Sequence, residues 1–418
     1  MRKLNFPTAI IRPSRTLGRY TLTILSIPIV LAIRLIAPFV LVRVGYLHSS
    51  RIGHFAADTE LYLLETKELK KVSKAKIQDF VCYREPVCNR YLGKMWRRTN
   101  GLTVVPVPII NAIYRVNSLI PGGTKHIAGL TKQHDRDVSG LFYRYPPVLS
   151  FTQEEQRTGE LLLRDLGVPK DRNFVCLHVR DSSYLANQFP WADTSYHNYR
   201  DSNIEDYYLT AEALAMHGLY VLRTGAIVKS PLQSKNPMII DYALSGKRSE
   251  FADLYLGANC YFCISTGSGF DAIPYIFRRP ILYVNLVPIE YMNTYSLNYS
   301  TVFKHHDDST DGQELPFVEI FTRQAGRCVS SECFQSKGIS LRDNSPDEIM
   351  EAAMEMVGRL EGTFLESDDD KFLESEFWRV FPKDAVDDHV GMPLHGQIRA
   401  RVSITYLRSN RSLLRVQE

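Results

Sequence analysis

Short apolar runs alternate with amphipathic segments through the second half of the chain. Five runs have the length and the β-branched and aromatic composition of buried strands: FVCLHV, LYVLRT, MIIDYA, YFCIS and ILYVN. Three amphipathic segments begin with the spacing of a capping box, in which Glu follows Ser or Thr by three residues. The pairs are Thr152 with Glu155, Ser202 with Glu205 and Ser345 with Glu348, and the segments end at Gly167, Gly218 and Gly362. Strands that alternate with helices predict parallel βαβ units.

Each predicted strand ends in ligand-binding side chains or in glycines. These ends are His178, Arg180 and Asp181; Arg223, Thr224 and Gly225; Asp241 and Tyr242; Ser265, Thr266, Gly267, Ser268 and Gly269; and Asn285. In an open parallel sheet the ligand crevice lies outside the carboxyl ends of the strands. Any single polar end is also explained by a solvated loop. The repetition over five strands favours a binding site.

Arginine after two strands, together with STGSG before DAIPYIFR, indicates an anionic ligand. Glycines let backbone N–H groups approach an anion, and arginine offers a fork of donors to phosphate oxygens. The glycine segment matches neither G-x-G-x-x-G nor G-x-x-x-x-G-K-[ST], so neither a dinucleotide fingerprint nor a P-loop is indicated. It is not a hydrolase elbow either, because Thr266 and Phe270 stand where G-x-S-x-G requires glycine. The sequence therefore predicts a phosphorylated ligand.

The first half of the chain predicts a second α/β domain. Residues 42–63 have a strand-like start, a loop with Arg51, Gly53 and His54, and then helical spacing of apolar residues. DFVCY at 79–83 and LTVVPV at 102–107 predict further strands. Paired prolines at 146 and 147 precede the first capped helix and indicate a seam. We expect an N-terminal α/β domain at 42–145, a ligand-binding α/β domain at 146–345 and a helical extension at 346–418 that packs back across the domains.

Residues 1–41 predict a basic, apolar arm. Eight arginines and lysines precede Asp58, the first acidic residue, and the runs 20–33 and 35–42 carry no charge. Arg34, Pro28 and Pro38 interrupt a membrane-spanning helix, and no small-residue cleavage site of a signal peptide follows. We expect a helix that lies on an anionic membrane surface, on the cytoplasmic face of a plasma membrane. The alternative is a helix packed on the protein.

The amino-acid composition is that of an ordinary globular protein. The chain of 418 residues, 44% hydrophobic and 23% charged, predicts two globular domains. Basic residues beyond the arm are mixed with acids, which argues against nucleic acid as a partner. Seven cysteines, several of them in apolar runs, indicate a reduced, cytoplasmic set. Cys260 and Cys263 have no second ligand pair, so we expect them in the core rather than on zinc.

Several motifs together resemble a known family. These are RIGH at 51–54, FTQEE at 151–155, FVCLHVRDSSY at 174–184, YRD at 199–201, VLRTG at 221–225, SEFADLYL at 249–256 and STGSG at 265–269. The chain resembles, from about Val42 to Asn410, a bacterial family assigned as glycosyltransferases of capsule and O-antigen synthesis. Its H-x-R element is also similar to the donor motif of fucosyltransferase-like GT-B enzymes. Asp181 directly follows the arginine here, which departs from that motif.

The resemblance implies a GT-B-like fold, with two Rossmann-like domains facing across a cleft. It also implies a metal-independent transferase without other cofactors, which moves a sugar from a nucleotide diphosphate to a glycan or lipid-linked acceptor. Arg180 and Arg223 would neutralise the diphosphate, His178 would brace it, and residues 265–269 would supply backbone donors. The alternative function is a catalytically inactive partner that binds nucleotide sugars in a polysaccharide assembly complex.

Other residues have two interpretations each. Tyr199, Arg200 and Asp201 either contact the donor sugar or fix their loop by an internal ion pair. Asp253 either contacts the nucleotide or stabilises a helix start through its dipole. We expect the general base to come from the N-terminal domain.

His54 is the first candidate for that base and Glu60 the reserve, because an imidazole accepts a proton near neutral pH. The alternative for His54 is packing at a helix start. SDDDKF at 367–372 predicts a solvated loop, and HHDD at 305–308 predicts a loop that holds no metal.

Overall fold

The chain divides into two compact units, each with its own parallel sheet. The computed structural model describes residues 13–129, 131, 136–188, 190, 191, 193–387 and 391–414. Unit 1 comprises residues 1–51 and 62–132, and unit 2 comprises residues 52–61 and 133–418. The predicted α/β class with two parallel, Rossmann-like sheets is confirmed.

The compact units do not coincide with the predicted segments. Residues 52–61, the first turns of a long helix, belong to unit 2, and the later division falls after residue 132 rather than after residue 145. The functional segments 1–41, 42–145, 146–345 and 346–418 stay a prediction, because compactness alone does not assign a function.

Unit 1 contains a four-stranded sheet with the order β3-β2-β1-β4, in which all neighbouring strands are parallel. Its strands are β1 (Val40–Leu47), β2 (Lys76–Tyr83), β3 (Thr103–Val104) and β4 (Ile127–Ala128). Its helices are α1 (Pro13–Ile36), the later turns of α2 (Ile52–Val72), α3 (Arg90–Arg97) and α4 (Val107–Leu119). The strand predicted at 102–107 is short because α4 begins at Val107, where Pro108 fits the first turn of a helix.

Helix α1 has one face in the core of unit 1 and an opposite face in solvent. Val30 is 1% exposed and packs with Val44, Cys82 and Ile110, while the Arg34 guanidinium donates to Asn117 Oδ1 at 2.7 Å. The exposed side chains include Tyr20, Ile24, Leu25, Leu31 and Leu35. Among the described residues, no helix combines the length and the hydropathy needed to cross a membrane.

Unit 2 is built on a seven-stranded sheet with the order β13-β10-β9-β8-β5-β6-β7. Every neighbouring pair is parallel. The strands are β5 (Phe174–His178), β6 (Tyr220–Thr224), β7 (Ile239–Ile240), β8 (Cys263–Ser265), β9 (Ile281–Leu286), β10 (Tyr299–Phe303) and β13 (Arg401–Val402). The five strands predicted in this half are therefore confirmed. A separate antiparallel ribbon pairs β11 (His305–Asp308) with β12 (Ile339–Arg342).

Eleven helices in the described part of unit 2 flank or connect these strands. They are α5 (Leu141–Arg144), α6 (Gln153–Asp165), α7 (Ser183–Gln188), α8 (Tyr208–Met216), α9 (Glu250–Asn259), α10 (Ala272–Ile276), α11 (Phe317–Thr322), α12 (Ser331–Ser336), α13 (Pro346–Glu361), α14 (Asp368–Val380) and α15 (Ile404–Ser409).

Two of the three predicted capping boxes are confirmed. Thr152 caps α6 with Glu155, and Ser345 caps α13 with Glu348. The prediction for Ser202 is wrong, since the side chain of Asn203 accepts from the N–H of Glu205 and begins a 3₁₀ turn before α8. Asn is as good an N-cap as Ser, so the start moves by one residue.

The two acidic segments are not solvated loops. Ser367 caps α14, and Asp370 completes its capping box while forming an ion pair with Arg408 at 2.6 Å. HHDD at 305–308 is strand β11, where ladder hydrogen bonds to β12 hold the backbone. The capping box of α14 is a local signal that the sequence interpretation missed, whereas β11 depends on its pairing with β12 later in the chain.

The cysteines are mostly core residues, as expected, with one correction. Cys82, Cys176, Cys260 and Cys263 are buried free thiols, which confirms the core placement of the C-x-x-C pair. Cys328 and Cys333 form a disulfide, so the expectation of a fully reduced set is wrong. The turn capped by Ser330 at the start of α12 folds the chain back and brings these two residues together.

Candidate functional site

Strands β5 and β8 lie side by side at the point where the sheet of unit 2 changes direction. The chain runs outward from β5 through β6 to β7 and then returns to β8 on the other side of β5. Ligands of open parallel sheets bind at such a switch point, outside the carboxyl ends of the strands. The residues that end or follow β5 and β8 include His178, Arg180 and the loop 265–269. The topology therefore brings the two strongest sequence motifs together.

Internal hydrogen bonds hold the loop 265–269 in a defined shape. Asp271 Oδ2 accepts from the Ser265 hydroxyl at 3.0 Å and from the Ser268 N–H at 2.9 Å. Gly267 has φ 72°, and a methyl group at this position would lie 2.9 Å from Leu286 Cδ1. The positive φ favours glycine at this position, because other residues rarely adopt this backbone conformation.

Arg180 and Arg200 lie close together beside this loop. The Arg180 guanidinium forms an ion pair with Asp201 and donates to the His197 carbonyl at 3.0 Å. The Arg200 guanidinium donates to the Gly267 carbonyl. Burial, and then the charge of Arg200, lowers the pKa of Arg180. An anion placed near both arginines would relieve their mutual repulsion.

Lys304, which follows β10, joins this cluster although sequence analysis did not single it out. Its ammonium group donates to the Asp201 carbonyl at 2.7 Å and pairs with Asp343 at 2.6 Å. Its position directly after a strand of the parallel sheet is the signal that identifies it in the sequence.

His178 is a neutral side chain in this site. Burial, followed by the charge of Arg223, lowers the pKa of His178 to about 4. Its Nδ1 lies 3.0 Å from the Thr224 hydroxyl, and its ring stacks on Phe270 with centroids 4.7 Å apart. Any bracing of a phosphate by His178 therefore uses a hydrogen bond rather than a positive charge.

Arg223 and its partners stabilise the loop between β6 and β7. Arg223 is 1% exposed, and its guanidinium contacts both Asp241 carboxylate oxygens, at 3.2 and 3.3 Å. Asp241 also accepts from the Leu232 N–H at 2.8 Å. A methyl group at Gly225 would lie 2.5 Å from Val228 Cγ1, so this turn is tight. Donor contacts by Arg223, Gly225 and Asp241 stay predictions that this arrangement does not favour.

Four more candidates make contacts that explain their presence without a ligand. Asp181 accepts from the N–H groups of Ser183 and Lys229 and so joins two loops. Asp253 accepts from the Tyr242 hydroxyl at 2.9 Å and pairs with Arg248 at 2.7 Å.

Asn285 is fully buried. It donates to the Tyr207 hydroxyl at 3.1 Å and accepts from the Asn344 N–H at 2.6 Å. Tyr199 packs on Phe334 with ring centroids 5.5 Å apart. The donor contacts predicted for Asp181, Asp253, Asn285 and Tyr199 remain predictions.

The first turns of α2 carry His54 and lie against the loop 265–269 within unit 2. A methyl group at Gly53 would lie 3.3 Å from Gly269 Cα. His54 Nδ1 lies 3.2 Å from Asp58 Oδ2, one turn along the helix. Sequence analysis expected the base to come from the N-terminal domain, but residues 52–61 belong to the same compact unit as the loop. The i, i+4 spacing of His54 and Asp58 was a readable signal for this pair.

Glu60 occupies a buried ion pair. Its carboxylate is paired with Arg278 at 2.8 Å and accepts from the Val148 N–H at 3.0 Å. Burial raises the pKa of Glu60, and the charge of Arg278 opposes that shift. A fully buried carboxylate with these partners is placed to stabilise the fold, so the arrangement favours His54 over Glu60 as base.

Comparison with known proteins adds structural similarities only. No protein-family model matches the chain, and no curated protein matches its sequence. It is similar to E. coli ADP-heptose lipopolysaccharide heptosyltransferase II, with 13% identity over 62% of this chain and 90% of that one and a TM-score of 0.34. A glycosyl transferase family 9 structure from Veillonella parvula has 10% identity over 76% and 97% of the chains and a TM-score of 0.43.

E. coli heptosyltransferase WaaC with ADP has 14% identity over 58% of this chain and 86% of that one, with a TM-score of 0.29. TM-scores in this range carry no argument about the activity of this chain.

Proposed function

We propose that this protein is a metal-independent glycosyltransferase. It transfers a sugar from a nucleotide diphosphate to a glycan or lipid-linked acceptor in cell-surface polysaccharide synthesis. The single observation that supports this most is the placement of Arg180 beside the loop 265–269 at the switch point of the sheet. The sequence motifs at these positions are those that resemble a glycosyltransferase family.

Arg180 and the loop stabilise the negative charge that develops as the diphosphate departs. Guanidinium groups bind phosphate oxygens through two parallel hydrogen bonds, and Arg180 has donors enough to serve both Asp201 and a phosphate. Arg200 adds a second positive charge from the adjoining turn. Arg223, which is buried against Asp241, holds the neighbouring loop rather than the ligand in this proposal.

His54 and Asp58 supply the acid–base chemistry. The bond between the anomeric carbon and the diphosphate oxygen breaks, and the acceptor hydroxyl oxygen forms a bond to that carbon. His54 takes the hydroxyl proton, and Asp58 holds the imidazole in position through Nδ1. The contact of Gly53 with Gly269 keeps this pair next to the loop that holds the donor.

The exposed face of α1 fits an anionic membrane surface. Ile24, Leu31 and Leu35 are exposed and are spaced by seven and four residues, so they share one face of the helix. Such a face enters the interfacial region of a bilayer, and basic residues nearby bind anionic headgroups. This placement would bring the enzyme to a lipid-linked acceptor.

Turnover of nucleotide sugars tests the proposal against the inactive binding partner. A donor at 100 times its Kd raises the free energy of unfolding by about 2.7 kcal/mol, so a thermal-shift panel finds the donor. The purified chain is then incubated with that donor, with and without a bacterial lipid and glycan extract. We expect release of free nucleotide only with the extract. Stabilisation by a donor without such release would support the inactive partner instead.

A further inference from the structure

A second concave surface lies at the edge of the seven-stranded sheet opposite the switch point. It is an open groove of about 1060 Å³. Leu297, which precedes β10, and residues 395–401, which lead into β13, line it together with side chains of α14. These are the amino ends of two strands, and all seven strands are parallel, so the groove faces away from the carboxyl ends that form the donor crevice. It is a separate site.

Cations outnumber anions in the groove. Lys371, Lys383, Arg399 and Arg401 line it, against Glu374 and Asp384. Lys371 and Arg401 are paired with Asp368 and Glu366 outside the lining, so the charges that remain for a ligand are those of Lys383 and Arg399. Among the described residues, the contacts of the Arg399 guanidinium are with the neutral side chain and carbonyl of Gln397 and with the face of Tyr143, 4.5 Å away. No described carboxylate within ion-pair distance neutralises that charge. An anionic ligand would do so.

Aromatic and neutral polar side chains lie between these charges. Trp378 is half-buried and packs edge-on against Phe377 and Phe381, and the Tyr143 side chain is 63% exposed. The C–H face of a sugar ring is apolar and packs well on such aromatic surfaces. Sugar hydroxyls would meet the polar groups around them.

His395 in the groove lining is a buried, neutral imidazole. It is 5% exposed, and its Nδ1 lies 3.2 Å from the Thr294 hydroxyl. Burial and then the charge of Arg136 lower the pKa of His395 to about 3, against a hydrogen bond with the Glu290 backbone. The ring is therefore neutral near pH 7 and adds no charge to the lining.

We propose that this groove binds an acidic oligosaccharide, a chain of sugar rings that carries negative charges. The volume is at the upper end of small-molecule pockets, and the groove is open, which suits several linked rings better than one compact ligand. The choice of a glycan among anionic ligands rests on the proposed function. The groove would hold a chain of the acceptor or product away from the reacting atoms.

Calorimetry with the full chain tests this directly. The probe is hexagalacturonate, and maltohexaose is the neutral oligosaccharide of equal length. We expect saturable binding of hexagalacturonate, at least tenfold weaker in the double variant Lys383→Ala, Arg399→Ala, and no measurable binding of maltohexaose. The control is Lys170→Ala, Arg172→Ala, which removes the same charge from exposed positions before β5. If the first double variant fails to fold, Lys383→Glu alone keeps the test, because Lys383 is exposed.

Three results would overturn the groove assignment. These are absence of saturable binding, equal losses in the groove and control variants, and equally tight binding of a twenty-residue oligothymidylate. The release of nucleotide is measured on the same proteins, which separates the two proposals. A parent chain without acceptor-dependent release that still binds hexagalacturonate would remove the glycosyltransferase and keep the groove site. Acceptor-dependent release of nucleotide without hexagalacturonate binding would keep the glycosyltransferase and remove the groove site.

Discussion

The guanidinium of Arg180 forms an ion pair with the carboxylate of Asp201, and both side chains are largely withdrawn from solvent. Asp201 follows Arg200, whose guanidinium holds the loop that carries Gly267. The arginine at the end of β5 is therefore oriented by the YRD motif, which lies twenty residues away in the sequence. Asp201 of the YRD motif therefore pairs with Arg180 at the end of β5, outside its own loop.

Arg180→Ala should weaken donor binding. A hydrogen bond to a charged group contributes about 1.5 to 3 kcal/mol, so we expect the Kd for the donor to rise by at least tenfold in calorimetry. Arg180→Lys should recover only part of the affinity, because the ammonium group lacks the planar fork.

The matched control for this test is Arg172→Ala, which removes an exposed arginine before the other end of β5. Its donor affinity should equal that of the parent. Unchanged affinity in Arg180→Ala, with a normally folded protein, would remove this arginine from the donor site.

His54→Ala should slow the reaction without weakening donor binding. Loss of a general base lowers turnover by about 100-fold or more, and the change appears in kcat because the donor contacts remain. Asp58→Asn should lower kcat by a smaller factor, since it removes only the group that orients the imidazole.

The readout that separates catalysis from packing is the pH profile of kcat. Loss of the base should remove the acidic limb of the profile in His54→Ala, whereas a purely structural role would leave its shape unchanged. A His54→Ala enzyme that keeps most of its turnover would contradict the assignment of the base.

The strands of unit 2 and their polar carboxyl ends were predictable from sequence because the relevant signals are local. Apolar runs with polar ends mark buried parallel strands, and the chain order of strands and helices indicates βαβ units. Long-range pairings were not predictable. The burial of Arg223 depends on Asp241, which the tertiary fold brings back from a loop eighteen residues later.

The placement of His54 shows the same limit. Local spacing predicted a helix in this region but left Gly53 and His54 in the preceding loop, whereas α2 begins at Ile52. No local signal assigns the first turns of α2 to unit 2. That assignment depends on packing such as that of Gly53 against Gly269, over two hundred residues away. The exposed apolar face of α1 likewise needed the packing of Val30 to identify which side of the helix is buried.

Glu60→Ala should destabilise the protein more than it affects catalysis. Removal of one partner from a buried ion pair costs about 3 to 5 kcal/mol, because Arg278 keeps a partly buried charge without its partner. Urea denaturation followed by tryptophan fluorescence measures this loss. Glu160→Ala is the control, since Glu160 forms an exposed pair with Lys170 at 3.3 Å and should cost at most about 1 kcal/mol. Equal, small effects of both substitutions would contradict the structural role of Glu60.

The triple variant Ile24→Ser, Leu31→Ser, Leu35→Ser should release the protein from anionic vesicles. These side chains are exposed on one face of α1, so their loss removes apolar contact with lipid but little packing. Co-sedimentation with anionic and with neutral vesicles measures the change, and donor affinity should stay the same.

Val30→Ala is the matched control for that experiment. Val30 belongs to the core of unit 1, so its truncation should lower stability by about 1 to 2 kcal/mol and leave vesicle binding unchanged. A triple variant that unfolds while it still binds vesicles would contradict the membrane-facing assignment of this face.

We expect His305 to make the stability of unit 2 depend on pH. Burial alone would lower its pKa, but hydrogen bonds to Glu314 and Glu348 dominate and raise the pKa of His305 to about 9. Despite a burial effect in the opposite direction, His305 and the backbone of Ser345 lower the pKa of Glu348 to about 2. The charged cluster connects β11 to the start of α13, where Glu348 also completes the capping box.

The direction of the pH effect follows from these shifts. The folded pKa of His305 lies above the ordinary value of about 6.5, so its contribution is complete below about pH 6.5 and is lost as the pH rises to about 9. Glu348 contributes to stability above about pH 4.5 and loses that contribution as the pH falls towards 2.

We expect the free energy of unfolding to fall by on the order of 2 to 3 kcal/mol between pH 6.5 and 9.5 through His305. His305→Gln should be less stable at pH 6 and should lack this decline in urea denaturation, while His217→Gln, at an exposed pair with Glu361, should retain it. A decline of equal size in His305→Gln would show that other groups control the alkaline loss of stability.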